Sequence, residues 1–174
     1  MERLRCGTQA TAVLFVLTWS FDLDPARMVH LNYERGNRMK PTANIPIGAE
    51  ATQEIEVTRE MTVAHFHDHM PEVYGTPIMI YHMEETAAAA IHDYLPEGWV
   101  TVGVVVNVRH LAATPVGAKV TTRAKVLEVG DYTIKFSVEA HDSFEMIGEG
   151  IHVRAPVAME RFMKKVEAKI VRGS

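Results

Sequence analysis

A single cysteine, Cys6, stands in the 174 residues. No disulfide can form within one chain, so a packed core must supply the stability. The same scarcity fits a reducing compartment, and a cytoplasmic location is expected. No run of about 18 apolar residues occurs, so no spanning helix and no membrane partner are expected. Positive charge is not in excess: 18 Lys and Arg stand against 22 Asp and Glu, for a formal net charge of −4. No polyanion-binding surface is advertised, and no nucleic-acid partner is expected. Internal repeats and low-complexity segments are lacking too, which excludes a repeat architecture. What remains is ordinary for one globular domain: 47% apolar and 23% charged residues.

Residues 1–38 differ from the rest. "MERLRCGTQATAVLFVLTW" has two early arginines and a short apolar run from Ala10 to Trp19. That pattern resembles the first part of a signal peptide, but no small-x-small cleavage site follows. A second reading is a misplaced start, with translation beginning at Met39. The preceding "ERGNR" can be encoded by a purine-rich stretch like a bacterial ribosome-binding site. A third is a genuine extension. The expected division is an N-terminal extension over 1–38 and one domain over 39–174.

The domain alternates between two periods. From Thr52 to Val63, Ile55, Val57, Met61 and Val63 fall on one side, which is period two and predicts a strand. "AHFHDHMPEVYG" reads as a loop. Thr76-Pro77 is a helix-start signal, with Thr76 as N-cap and proline at the first helical position. The predicted helix runs to about Asp93 or Tyr94, where "LPEG" ends it. "WVTVGVVVNVRH" is a valine-dense strand that fits a central position. "AKVTTRAKVLEV", "YTIKFSVEAH" and "FEMIGEGIHVRAPV" are further strands joined by short turns, which predicts an antiparallel meander. "AMERFMKKVEAKI" is a terminal helix. One long helix against a five-stranded antiparallel sheet is an α+β arrangement.

Within the long helix, Glu84 is out of place. At 100° per residue its neighbours are Ile80, Tyr81, Ala87, Ala88 and Ile91, all apolar or aromatic. Glu85 falls near His82, Ala89 and His92, a wetter side. An unpaired buried carboxylate costs several kcal/mol. A carboxylate there is either a chemical group in a pocket or a side chain at the face edge whose head reaches solvent.

Three stretches, "YGTPIMIYHMEETA", "VGVVVNVRHLAATPVG" and "VEAHDSFEMIGEGIHVRA", resemble the fluoroacetyl-CoA thioesterase-like group of hotdog-fold thioesterases. The resemblance covers roughly residues 47 to 165, in order and at matching separations. It implies a hotdog fold, in which the long central helix is wrapped by the five-stranded sheet. It also implies a homodimer with acyl-CoA bound between subunits. By the same resemblance the catalytic residues are Thr76, Glu84 and His110, and Gly103 and Arg154 contact substrate. Coenzyme A arrives as part of the substrate, and no cofactor or catalytic metal is implied.

Thioester hydrolysis needs an activated water or nucleophile, a proton carrier and a group to hold the carbonyl. Glu84 fits the first role. His110 fits the second or the third. Thr76 would offer a hydroxyl beside the positive end of a helix. The group's lid is built around phenylalanines, whereas the corresponding loop here is shorter and holds His67 and Met70. The expected substrate is therefore a small or medium acyl-CoA without fluoroacetyl selectivity. Two other functions suit the same fold: a hydratase of enoyl thioesters and a non-catalytic acyl-CoA-binding module. A separate idea concerns His65, His67 and His69, which would share one face of an extended chain and could then suit zinc.

Overall fold

The protein is described by a computed structural model covering residues 40–172. The readings of residues 1–38 lie outside the described residues. Strand β1 spans Glu50–Glu56, followed by a 3-10 turn at Arg59–Met61 and a four-residue helix, α1, at Val63–Phe66. Helix α2 spans Thr76–Ala89, and a 3-10 turn follows at His92–Tyr94. Strands β2 (Trp99–His110), β3 (Lys119–Val129), β4 (Ile134–His141) and β5 (Met146–Ala158) come next, then helix α3 (Met159–Arg172).

All five strands form one antiparallel sheet in the order β1-β3-β4-β5-β2. The expected meander holds for β3, β4 and β5. β2 departs from it, because it skips β3 and pairs with β5 from Trp99↔Ala158 to His110↔Gly148. Its valine density suggested a central strand, yet β2 is an edge of the sheet. β1 also ends earlier than its alternation suggested: Met61 and Val63 lie in helical turns. Close approach holds β2 to β5. A Cβ on Gly150 would run into the Asn107 carbonyl and lie 2.6 Å from Val108 Cα, so only glycine fits there.

Helix α2 lies on the sheet. Met79, Met83, Ala87, Ala90 and Ile91 meet Val120, Ala124, Val126, Phe136, Val138 and Ile147 in the core. In the run of alanines from Ala87 to Ala90, Ala87 and Ala90 are buried, and their small side chains let the sheet come close. Polar groups on this face are paired. The Thr86 hydroxyl lies 2.6 Å from Thr122 Oγ1 and 2.7 Å from the His82 carbonyl.

The helix phase differs from the wheel reading in one respect. Glu85, Ala89 and His92 are exposed as expected, but His82 is not: it is 7% exposed, and its Nδ1 lies 2.6 Å from the Tyr74 hydroxyl. Burial depresses the His82 pKa and raises that of Tyr74, which keeps this pair neutral. Tyr81 and Glu85 are outside and bonded to each other at 2.8 Å.

Candidate active site

Two side-chain constellations occupy the space between α2 and the β2–β5 pair. The first forms at the start of the helix. Gly75, not Thr76, is the N-cap residue, with extended backbone and no side-chain cap. Thr76 is therefore the first helical residue and Pro77 the second. Ile78 and Met79 both donate their N–H to the Gly75 carbonyl at 3.0 Å, and Pro77 has no N–H. The turn thus has fewer free backbone donors than a typical helix start. Its hydroxyl is free for other work.

That hydroxyl meets His110, with Thr76 Oγ1 lying 2.8 Å from His110 Nδ1. The two are 34 positions apart, and the loops on either side bring them together. Tyr74 N–H donates to the Thr114 carbonyl at 2.8 Å, and Val73 bridges to Pro115. Leu111 N–H is tied to the Ile147 carbonyl at 2.8 Å. The "AATPVG" loop after β2 is thus fastened both to the chain entering α2 and to β5. The other ring nitrogen, His110 Nε2, is shielded from solvent and has no hydrogen-bond partner among the described residues. An unpaired buried polar atom costs about 1–3 kcal/mol, so native folds keep few of them, and those few call for an explanation.

The second constellation surrounds Glu84. Its side chain is 35% exposed, at the edge of the buried face and not inside a sealed core. Gly103 of β2 sits directly against it. A Cβ at position 103 would overlap Glu84 Oε1 and lie 3.1 Å from His152 Cε1. The pairing places Gly103 opposite Arg154, and the register slips just after it, between Gly103 and Val105. Such a bulge locally re-aims the strand.

Arg154 and His152 point to the same side of β5. The Arg154 guanidinium donates to Thr101 Oγ1 (2.9 Å), the Thr101 carbonyl (2.8 Å), the Glu84 backbone carbonyl (3.1 Å) and His152 Nε2 (3.1 Å). It is a strut joining β5, β2 and α2 at the residue that carries the carboxylate. Burial lowers the Arg154 pKa and the nearby Glu84 carboxylate opposes this; an arginine stays cationic regardless. His152 was not singled out by sequence reasoning. The only signal was its place two residues before Arg154, which in a strand puts both on one face.

All five expected site residues thus line the α2–β2–β5 seam, in two groups. Thr76 meets His110, and Glu84 meets Gly103 and the strut of Arg154. No hydrogen bond joins the groups among the described residues. Thr76 and Glu84 are eight helical positions apart, about 12 Å along the axis and about 80° around it. The histidine-rich stretch does not reach the arrangement that a metal needs. His65 is in α1, and His69 has a positive φ of 69°, so the chain is not extended there. No group of three or more His, Cys, Asp or Glu among the described residues is placed to hold a metal ion. His67 and Met70 lie exposed ahead of α2. No described helix is long and apolar enough to cross a membrane.

Comparison with known proteins agrees with the fold. The family described as fluoroacetyl-CoA-specific thioesterase matches residues 57–160. The fluoroacetyl-CoA thioesterase of Streptantibioticus cattleyicolor is 34% identical over 133 residues, covering 73% of this chain and 96% of that protein. A solved structure of the fluoroacetyl-CoA thioesterase FlK superposes with a TM-score of 0.69 at 34% identity, over 71% of this chain and 96% of that one. A thioesterase superfamily member from Thermus thermophilus gives 0.65 at 33% identity, over 75% and 93%. A hot-dog-like protein from Thermanaerovibrio acidaminovorans gives 0.69 at 26% identity, over 75% and 97%. With sheet, central helix and sequence all in agreement, the chain belongs to the fluoroacetyl-CoA-specific thioesterase family, and it is a hotdog-fold thioester hydrolase.

Proposed function

We propose that the protein hydrolyses a small or medium acyl-CoA thioester and has no selectivity for a fluorinated acyl group. The observation that carries the reading is the 2.8 Å contact of Thr76 Oγ1 with His110 Nδ1 at the mouth of the helix. A hydroxyl that is freed from capping, held on a histidine whose far nitrogen is unpaired, suits chemistry better than structure. Side chains on a helix lean towards its N-terminus, so Glu84 leans towards the Thr76 end. Even so, the two groups of one chain stay too far apart along α2 to act on the same thioester carbon, so the Glu84 that works beside a Thr76–His110 pair is supplied by the second copy of the chain proposed below.

In this mechanism Glu84 takes a proton from water, and the water oxygen attacks the thioester carbon. The Thr76 hydroxyl supports the developing oxyanion. The carbon–sulfur bond then breaks, and the coenzyme A thiolate takes its proton from the Thr76 hydroxyl, which receives the Nδ1 proton of His110 in its place. No cofactor is needed for these steps. The loss of aromatic bulk at Met70, where the family's lid carries phenylalanine, supports a wider acyl preference.

The test is thiol release across a panel of acetyl-, fluoroacetyl- and C4 to C8 acyl-CoA esters. Turnover of several members at comparable kcat/KM is expected. Turnover of fluoroacetyl-CoA alone would overturn the proposed substrate range, and no thiol release from any ester would overturn the activity.

The partner we propose is a second copy of the chain. β2 is a 12-residue edge strand with Val106 41% exposed and no proline within it. Long edges without such protection pair with other chains. Gly103 lies on this edge strand, so pairing there would place the Glu84 constellation at an interface. Sedimentation equilibrium at micromolar concentration is expected to give twice the 19.5 kDa chain mass. A monomer would contradict the shared-edge assembly.

A further inference from the structure

His152 has no role in the mechanism so far, yet its Nε2 lies 3.5 Å from Glu84 Oε1. Its side chain is 2% exposed. Two partners of fixed character settle where its proton sits. The Val105 carbonyl can only accept, so Nδ1, 2.9 Å away, carries the hydrogen. Arg154 Nη1 can only donate, so Nε2, 3.1 Å away, carries a lone pair. The ring is therefore neutral. Burial lowers its pKa most, the Val105 bond raises it, the Arg154 cation lowers it, and Glu84 raises it.

The groups facing the ring are Glu84 from α2, Arg154 from β5, Gly103 and the Val105 carbonyl from β2, and the Phe136 ring from β4, 6.3 Å between centroids. An ionised Glu84 thus sets an acceptor against an acceptor, with no hydrogen between them. A carboxyl that has gained a proton supplies that hydrogen.

We propose that His152 is the positioning partner of Glu84: Nε2 accepts the O–H that appears when Glu84 takes a proton from the attacking water. The inference rests on the reading of Glu84 as the general base. The water O–H bond breaks and its proton bonds to Glu84, while an electron pair of the water oxygen forms the bond to the thioester carbon and the π pair of the C=O bond moves onto the carbonyl oxygen as the oxyanion. Nothing is oxidised or reduced. Arg154 Nη1 retains its bond to the Glu84 backbone carbonyl when it yields Nε2. His152 then holds the new acid against the inner wall, beneath Gly103, and makes the proton transfer more favourable.

His152→Asn keeps an amide N–H close to the position of Nδ1 and removes the outer acceptor. His152→Gln places an amide nearer to the position of Nε2. The asparagine variant is expected to lose about tenfold in kcat. Its KM should stay within about twofold. The acid limb of kcat/KM should move to lower pH by about half a unit or more, because the protonated carboxyl has lost its acceptor. The glutamine variant should recover most of kcat. A histidine that is only structural would lower Tm and the active fraction but leave the limb in place, and that outcome overturns the proposal.

In a Glu84→Gln background, His152→Asn should cost nothing further. A second tenfold loss there also overturns it. Should Glu84→Gln alone be as fast as the parent, the reading of Glu84 as base fails and takes this inference with it. Should Glu84→Gln be slow while the His152→Asn limb does not move, the His152 inference alone fails. The unsubstituted protein gives an independent answer, because the ¹⁵N shifts of the His152 ring should change with the same midpoint as the acid limb. A ring signal that stays flat across that limb overturns the proposal without any variant.

Discussion

Glu84→Gln is expected to lower kcat by about 10²-fold or more, the range typical of losing a general base. The substitution keeps the shape of the side chain and removes its basicity. At Glu84 the amide would still fit against Gly103 and below the half-open surface, since that carboxylate is 35% exposed. Stability should therefore change little. Glu85→Gln is the matched control. Glu85 lies outside the site, where it accepts a hydrogen bond from the Tyr81 hydroxyl at 2.8 Å. It should leave kcat close to the parent value. Thiol release by the two variants, each first shown to be folded by its melting curve, separates the cases. If Glu85→Gln were the slow variant and Glu84→Gln the fast one, the assignment of the base would be wrong.

Gly103→Ala is expected to lower kcat by about 10- to 100-fold while the protein stays folded. The new methyl group would overlap Glu84 Oε1 and press on His152 Cε1 at 3.1 Å. These two neighbours respond differently. The Glu84 head is the far end of a flexible, half-exposed side chain, so it can swing away at little cost. The His152 ring is buried and held at both nitrogens, so it gives little. The methyl group is thus accommodated mainly by displacing the carboxylate. A misplacement of about 1 Å at a reacting group can cost about 10²-fold in rate. The stability cost should be smaller, about 1 kcal/mol of overpacking. Equilibrium denaturation and thiol release on the same preparation test this split. A folded Gly103→Ala protein with full activity would show that the carboxylate does not work from this position.

Periodicity alone determined much of the fold. The alternation of Tyr132, Ile134, Phe136, Val138 and Ala140 predicted β4 and its buried face; the last four are buried, while Tyr132 lies ahead of the strand and is only partly buried. Pro77 predicted the start of α2 to within a residue. These features are local: a strand repeats every two residues and a helix every 3.6, so neighbours in sequence carry the signal. Glu84 was legible as an anomaly for the same reason. Its degree of burial was not, because α2 is apolar on most of its sides and its pattern does not say which side meets the sheet. The tertiary structure turned His82 inward and left Glu84 at the rim.

The family resemblance named Thr76, Glu84, His110, Gly103 and Arg154, but only long-range pairing decided what each one touches. β2 crosses over to β5 and sets Gly103 opposite Arg154. The loops fastened at Thr114 and Pro115 carry His110 to Thr76 across 34 positions. Gly75 took the capping position and freed the Thr76 hydroxyl. His152 was hidden for the same reason. Nothing in its local pattern separates a core histidine from one aimed at a carboxylate on another element, because that distinction exists only once α2, β2 and β5 are packed together.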